Sequence, residues 1–305
     1  KNKKDLALIV SECLASAASV YTTNLVKGAP LIVTKKNIIN GIAQAIICNS
    51  GNANTCNANG LEVAKAMCKL VEKHTSVKAE DVIVASTGVI GEPLNITPIS
   101  LCMETLVNGL GDKSEDASSA IMTTDTVNKQ TAVSFEINGV ECKIGGIAKG
   151  SGMIHPNMAT MLVFLTTDCL ITPEMLQAAI SEDVLDSFNM VSVDGDTSTN
   201  DMLSILANGR AGNEPIKEKN EAYLIFKKAL NMVTTKLCKM IAKDGEGASR
   251  VIECKVSGAD NVQNARKVAK SVVTSSLLKA AIFGADANWG RVLCAIGYSG
   301  ADIDV

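Results

Sequence analysis

Short apolar runs alternate with longer amphipathic stretches along this chain of 305 residues, and that alternation limits its fold more than any other feature. The short runs predict strands over 5–12, 41–48, 81–86, 161–168 and 292–298. The amphipathic stretches predict helices over 61–74 and 171–188, and further helices within 217–243 and within 260–280. Strands that alternate with helices indicate an α/β or α+β layered fold.

The clearest local signal is a β-hairpin over 131–148. Asn138 and Gly139 stand between its two strand-like halves, and this pair is typical of a two-residue turn in which both φ angles are positive. The hairpin predicts at least one antiparallel pair in the sheet. Thr172 and Pro173 are a typical N-cap and first-turn pair for the helix over 171–188. Only the loop over 208–220 offers a domain boundary, and it is a weak candidate.

Composition excludes several classes of partner. The net charge of −3 and the pI near 5.6 do not favour binding to nucleic acid. The apolar runs are too short to span a bilayer, and the apolar run near the N-terminus is too short for a signal peptide. We therefore expect no nucleic-acid partner and no membrane segment.

The ten cysteines are dispersed, and none forms a CxxC pair. With only His74 and His155 as further soft ligands, the sequence does not suggest a metal site. We expect no metal and no cofactor. The cysteines are predicted to be reduced and to act as small core residues in a cytoplasmic protein.

Six polar, glycine-rich loops follow or precede the predicted elements: 49–60, 85–93, 148–160, 193–201, 243–250 and 283–291. Ligand sites in layered α/β folds gather at strand ends, although each loop taken singly also reads as an ordinary turn. The 85–93 loop lacks the GxxxxGK[ST] phosphate motif, and the 193–201 loop lacks the glycine and glutamate of a calcium loop.

Thr160 lies where the loop over 148–160 gives way to an apolar run. A threonine hydroxyl is a weak nucleophile without a base, and its own α-amine can serve only after the preceding peptide bond is cut. The glycines and Pro156 before it, and the small Ala159, would suit attack of the Thr160 hydroxyl on the Ala159 carbonyl. A threonine that simply begins a strand is the competing interpretation.

Eight segments together resemble the ornithine acetyltransferase family, the bifunctional glutamate N-acetyltransferases of arginine biosynthesis. They are KGSGMIHPNMATML (149–162), TTNLVKGAP (22–30), NSGNANTC (49–56), STGVIG (86–91), IMTTDT (121–126), VDGDTSTND (193–201), DGEGASR (244–250) and GADANWGR (284–291). The resemblance covers essentially the whole chain. It implies a layered sandwich similar to that of N-terminal-nucleophile hydrolases.

The same resemblance implies how the protein matures and assembles. The chain would cleave itself between Ala159 and Thr160, giving an α chain over 1–159 and a β chain over 160–305. The two chains would stay associated in an α2β2 heterotetramer.

The resemblance also implies a reaction and a set of site residues. Thr160 would take the acetyl group of N-acetylornithine and pass it to glutamate by a ping-pong route, and some family members also use acetyl-CoA as the donor. Thr87 and Gly88 would form the oxyanion hole, a role that suits a hydroxyl and a backbone N–H. Thr123, Lys149 and Glu246 would bind substrate.

Two other functions stay open at the level of sequence. One is an N-terminal-nucleophile aminopeptidase or amidohydrolase, which would pass the acyl group to water. The other is a scaffold without activity. Because family members continue past the last predicted strand, we also expect this chain to lack a C-terminal segment that contacts substrate.

Overall fold

The computed structural model describes residues 3–155 and 161–304. Its strands are β1 (Leu6–Tyr21), β2 (Ile42–Asn49), β3 (Val82–Ser86), β4 (Lys129–Ile137), β5 (Val140–Lys149), β6 (Leu162–Thr167) and β7 (Met202–Ala207). They form one mixed sheet with the order β3-β2-β1-β7-β6-β5-β4. The helices are α1 (Ala29–Asn37), α2 (Gly60–His74), α3 (Ile96–Asn108), α4 (Ser114–Ala120), α5 (Pro173–Asp183), α6 (Glu221–Lys243), α7 (Val262–Thr274), α8 (Ser276–Phe283) and α9 (Trp289–Gly297).

The long strand β1 belongs to both halves of the sheet. Its first part pairs with β2, its last part pairs with β7, and the register of the β1–β2 pairing shifts between Val10 and Ala15. Residues of the β2–β3 half, such as Ile46 and Ile83, share one apolar cluster with Phe164 of β6. The two halves of the sheet therefore pack face to face, and their strand ends meet.

Helices cover the outer face of each half. One apolar cluster joins α1, α2 and α3 to β1, β2 and β3, and another joins α5 and α6 to β4, β5, β6 and β7. The resulting layers follow the order helix, strand, strand, helix. The predicted α/β layered fold is confirmed. The strands β6 and β7 follow the predicted cleavage point in the chain, and in the sheet they lie between β1 and β5, which precede it.

The hairpin prediction is confirmed in detail. Ile137 of β4 pairs with Val140 of β5, and the two turn residues between them have φ angles of +50° at Asn138 and +81° at Gly139. Thr172 also caps α5 as predicted, since its side chain accepts a hydrogen bond from the Met175 backbone N–H. The helix predicted over 171–188 is shorter, however, and ends at Asp183.

The predicted strand over 292–298 is wrong, because this segment lies in α9. A short apolar run does not distinguish a strand from a buried helix by itself. Val292, Ala295 and Ile296 follow helical spacing and face the small cluster formed with α7 and α8. Asn288 supplies the N-cap by accepting from the Arg291 N–H. The helix predicted within 260–280 is divided at Ser275 into α7 and α8.

The ten cysteines, all of which lie in the described parts of the chain, are free thiols. Five are buried, as expected of small core residues: Cys48, Cys68, Cys142, Cys169 and Cys238. The core prediction is wrong for Cys56, Cys102 and Cys294, which are exposed. Across residues 3–155 and 161–304, no helix combines the length and apolar character that a membrane crossing requires.

Candidate functional site

A cleft of about 570 Å³ opens where the ends of β2, β3 and β5 meet the segments that enter β6 and β7. Its walls contain five predicted site residues that are far apart in sequence: Thr87, Gly88, Thr123, Lys149 and Glu246. Met161, the residue after Thr160, also lines the cleft. Ala159 and Thr160 themselves lie outside the described residues.

Thr87 and Gly88 both line this cleft, and each carries a hydrogen-bond donor. The backbone N–H of Thr87 is already used, since it donates to the Asn49 carbonyl at 2.9 Å. Within the described ranges, no acceptor takes the Gly88 N–H or the Thr87 hydroxyl. Two unengaged donors on adjacent residues can stabilise an oxyanion, which is the role predicted for them.

Glycine is required at position 88 for two reasons. Its φ angle is +122°, a conformation that L side chains rarely adopt. A Cβ atom there would also lie 2.8 Å from the Gly51 carbonyl carbon and 2.9 Å from the Asn52 nitrogen. The loop after β3 thus packs directly on the loop after β2, and this contact restricts the backbone at Gly88.

The buried side chain of Asn200 ties these loops to the segment before β7. Its Nδ2 donates to the carbonyls of Ala53 at 2.6 Å and Ser86 at 2.9 Å. Its Oδ1 accepts from the hydroxyls of Thr55 at 2.5 Å and Thr199 at 2.6 Å. Because Ser86 immediately precedes Thr87, Asn200 sets the position of the candidate oxyanion hole. Sequence analysis quoted this residue within the 193–201 loop but gave it no role.

Lys149 and Thr123 form the polar wall of the cleft. Lys149 Nζ donates to the Thr123 hydroxyl at 3.3 Å. Burial lowers the pKa of Lys149, and the negative charges of Asp125 and Asp201 oppose that shift. A cation held in such a place can bind the carboxylate of an amino-acid substrate.

A buried ion-pair network fixes this wall from behind. Lys129 Nζ lies 2.6 Å from Asp125 Oδ1 and 2.5 Å from Asp244 Oδ2, and the Lys129 side chain is fully buried. Asp125 also accepts from the Gly150 N–H at 2.6 Å and the Thr123 N–H at 3.0 Å. Burial alone would raise the pKa of the Asp125 and Asp244 carboxyls, but their hydrogen bonds hold both below the usual value. No sequence signal pointed to Lys129.

Glu246 faces the same cleft from the end of α6. Its backbone N–H donates to the Ser151 carbonyl at 2.8 Å. Its carboxylate lies against Gly152, where an added Cβ atom would collide with Glu246 Oε2. In the described part of the chain, no donor contacts this carboxylate, which leaves it available to an ammonium group.

A larger groove of about 940 Å³ lies between the end of α6 and the helices α7 and α8. Of the five described residues predicted for the site, it contains only Glu246. The groove is mainly apolar and does not contain the candidate oxyanion donors. We therefore place the candidate active site in the smaller cleft.

The comparisons of sequence identify one family. The sequence model of the ArgJ family matches residues 1–305. The chain is 52% identical to arginine biosynthesis bifunctional protein ArgJ 1 of Clostridium acetobutylicum, over 99% of this chain and 75% of that protein. It is 50% identical to arginine biosynthesis bifunctional protein ArgJ of Symbiobacterium thermophilum, over 99% of this chain and 76% of that protein.

A solved structure carries a related name. The crystal structure of ornithine acetyltransferase complexed with ornithine, from Mycobacterium tuberculosis, is 34% identical to this chain. The match covers 51% of this chain and 84% of that chain, with a TM-score of 0.46. The assignment rests on the sequence matches, and by them the chain belongs to the ArgJ family of bifunctional arginine biosynthesis proteins.

Proposed function

We propose that this protein transfers the acetyl group of N2-acetyl-L-ornithine to L-glutamate, giving L-ornithine and N-acetyl-L-glutamate. One observation carries the proposal. The residues that the family resemblance assigns to the reaction come from four separate segments, yet those that are described line a single cleft. Membership of the ArgJ family supports the same reaction.

The reaction begins with self-cleavage between Ala159 and Thr160, which frees the Thr160 amine to act as the base. The Thr160 hydroxyl then attacks the acetyl carbonyl, and the hydroxyl proton passes through the amine to the leaving nitrogen of ornithine. An acetyl ester on Thr160 remains. The amine of glutamate attacks this ester, the bond between the acyl carbon and the Thr160 oxygen breaks, and a proton from the attacking amine returns through the Thr160 amine to that oxygen as N-acetylglutamate departs.

The other residues of the cleft serve this chemistry by charge and position. The Thr87 hydroxyl and the Gly88 N–H donate to the oxyanion that develops in each tetrahedral intermediate. Lys149 pairs with the substrate carboxylate, and Thr123 lies beside it. Glu246 pairs with the ammonium group of ornithine. The family also suggests acetyl-CoA as a second donor for glutamate acetylation.

The α chain over 1–159 and the β chain over 160–305 remain together in an α2β2 heterotetramer. Interleaving of β6 and β7 between β1 and β5 supports an association that survives cleavage. We place the protein in the cytoplasm, where the free thiols of all ten cysteines would stay reduced. Native mass spectrometry of the cleaved protein tests the assembly, and a single dissociated chain would contradict it.

Product analysis after incubation with N-acetylornithine and glutamate tests the reaction. The proposal expects ornithine and N-acetylglutamate in equal amounts. Free acetate without N-acetylglutamate would instead favour the aminopeptidase or amidohydrolase alternative.

A pair of variants tests the nucleophile. Thr160→Ala should block both cleavage and transfer, and Thr160→Ser should retain part of each, because serine keeps the hydroxyl. Cleavage of the Thr160→Ala variant at the same bond would contradict self-processing by this residue.

A further inference from the structure

The carboxylate of Asp194 binds the chain just before the predicted cleavage bond. Its Oδ2 accepts from the Met153 N–H at 2.5 Å, and its Oδ1 accepts from the Ile154 N–H at 2.8 Å. Met153 has a φ angle of +57°, a conformation that is uncommon for a residue with a side chain. Hydrogen bonds to an ionised carboxylate are about twice as strong as neutral ones, so Asp194 holds this turn firmly.

The residues around Asp194 strengthen the same contact. The Val193 N–H donates to the Ile154 carbonyl at 2.6 Å, and the Thr197 hydroxyl donates to the His155 carbonyl at 2.8 Å. Together with Asp194, these groups engage three consecutive residues, 153–155. The segment 193–197 therefore holds the end of the chain that leads into the cleavage loop.

The chain after the cleavage bond is held by the continuation of this segment. The Met202 N–H donates to the Met161 carbonyl at 2.9 Å, and β6 pairs in parallel with β7 from that point. The stretch from Val193 to Met202 thus contacts both sides of the bond between Ala159 and Thr160, although the bond itself lies outside the described residues.

The segment that carries Asp194 is fixed from its other side. Lys279 Nζ in α8 donates to the carbonyls of Val193 at 2.7 Å and Ser192 at 3.3 Å. Lys270 Nζ in α7 donates to the carbonyls of Asn189 at 2.7 Å and Val191 at 2.8 Å. The loop that carries Asp194 is therefore held in place by hydrogen bonds from Lys270 and Lys279.

We propose that Asp194 is a positioning residue for self-cleavage and has little part in acetyl transfer. This inference rests on the proposed function, because it assumes that Thr160 cuts its own chain. In that step the Thr160 oxygen bonds to the Ala159 carbonyl carbon, the Ala159–Thr160 C–N bond breaks, and the hydroxyl proton goes to the freed nitrogen. Water then cleaves the ester, leaving a carboxylate on Ala159 and the hydroxyl on Thr160.

Holding residues 153–155 on one side and Met161 on the other reduces the conformations open to the chain between them, and such a loss of conformational freedom lowers the entropic cost of the attack. Once the bond is cut, the restraint on 153–155 no longer bears on the nucleophile. Asp194 is also absent from the residues that line the catalytic cleft, and of the three residues 153–155 that it helps to hold, only Met153 lines the cleft. Its substitution should therefore slow maturation far more than it slows turnover.

The test follows cleavage by a pulse of labelled cell-free synthesis and a chase, with the chains separated by size. Asp194→Asn keeps the shape of the side chain but removes its charge and one acceptor oxygen. We expect its cleavage half-time to lengthen by about tenfold or more, the scale of a lost charge-assisted hydrogen bond. Asp196→Asn is the matched control, because Asp196 is an exposed carboxylate on the same loop and no hydrogen bond joins it to 153–155 in the described structure. It should cleave at the rate of the unaltered protein.

A second measurement separates this role from a general loss of structure. Turnover is measured on protein whose cleaved fraction has been determined by intact mass, and is expressed per cleaved chain. Asp194→Asn should then match the unaltered enzyme within about twofold. Should Asp194→Asn fail to fold, Thr197→Val, which removes the hydroxyl bond to His155, should show the same slow cleavage and normal turnover.

Two results would overturn the inference. Cleavage of Asp194→Asn at the normal rate would show that the contact does not assist the step, and an equal loss of cleavage and of turnover per cleaved chain would show a general role. A failure of the unaltered protein to cleave is a different outcome, since it would also overturn the maturation step of the proposed function.

Discussion

Asn200 donates its side-chain amide to the Ser86 carbonyl at 2.9 Å, and thereby links the segment before β7 to the residue that precedes Thr87. Asn200→Asp keeps the side-chain size but removes this donor and the one to Ala53. We expect kcat to fall by about tenfold or more with little change in KM, because the oxyanion donors would lose their position.

Asn213→Asp is the control for this prediction. Asn213 is also a buried amide that donates to backbone carbonyls, but it lies outside the cleft. Its substitution should lower the melting temperature and leave kcat unchanged. A similar loss of kcat in both variants would contradict a specific role for Asn200.

Gly88→Ala should reduce kcat by about 100-fold, since the added Cβ would displace the N–H from the developing oxyanion. The comparison variant is Gly91→Ala. Gly91 also has a positive φ, +83°, but nothing lies within 4 Å of its Cβ position. Steady-state kinetics of the two variants therefore separate the clash with Gly51 from the cost of the backbone conformation. Equal kcat values for the two would disprove the oxyanion role.

Lys129→Met should destabilise the protein by about 3–5 kcal/mol, because it leaves two buried carboxylates without their cation. The hydrogen-bonded carboxyls of Asp125 and Asp244 have lowered pKa values, so their contribution to stability is present above the usual carboxyl pKa and is lost as the pH falls. Without Lys129 both pKa values rise, and acid unfolding should begin at a higher pH.

Chemical denaturation over a range of pH measures this effect. The control is Lys239→Met, because Lys239 forms an exposed pair with Glu253 at 3.0 Å. This variant should change the free energy of unfolding by less than about 1 kcal/mol. An unchanged acid midpoint in Lys129→Met would mean that the buried network does not stabilise the fold.

Lys149→Met should raise the KM for N-acetylornithine by about tenfold and lower kcat less, because the variant loses the charge that pairs with the substrate carboxylate. Burial lowers the pKa of Lys149, so this residue loses its proton at a lower pH than an ordinary lysine. The KM of the unaltered enzyme should therefore rise with pH through that lowered pKa, and the KM of the variant should not follow it. Lys143→Met, an exposed site earlier on β5, should behave like the unaltered enzyme.

Local chemistry made part of this fold predictable. The Asn138–Gly139 pair and the Thr172 cap each act within a few residues, so their effects can be read directly from the chain. The segment of α9 has the same apolar character as a strand, and its Asn288 cap and its packing against α7 make it a helix. The mainly polar helix α4 gave no amphipathic signal at all.

The candidate site was likewise predictable from the sequence only in part. Motifs identified Thr87, Gly88, Thr123, Lys149 and Glu246, and the fold brings these residues to one cleft. The supporting residues were missed because their roles depend on contacts between distant segments. Asn200 bonds to residues more than 100 positions away, and so does Lys129 through Asp244. No spacing within one motif reports such contacts.

The central claim is that Thr160 carries the acetyl group, and intact mass analysis of the denatured protein tests it most directly. The protein is mixed with N-acetylornithine alone, and then with glutamate added. We predict two chains divided between Ala159 and Thr160, with one acetyl group gained by the chain that begins at Thr160 and lost again when glutamate is added. An uncut chain, or a cut chain that never gains the acetyl group, would contradict the account.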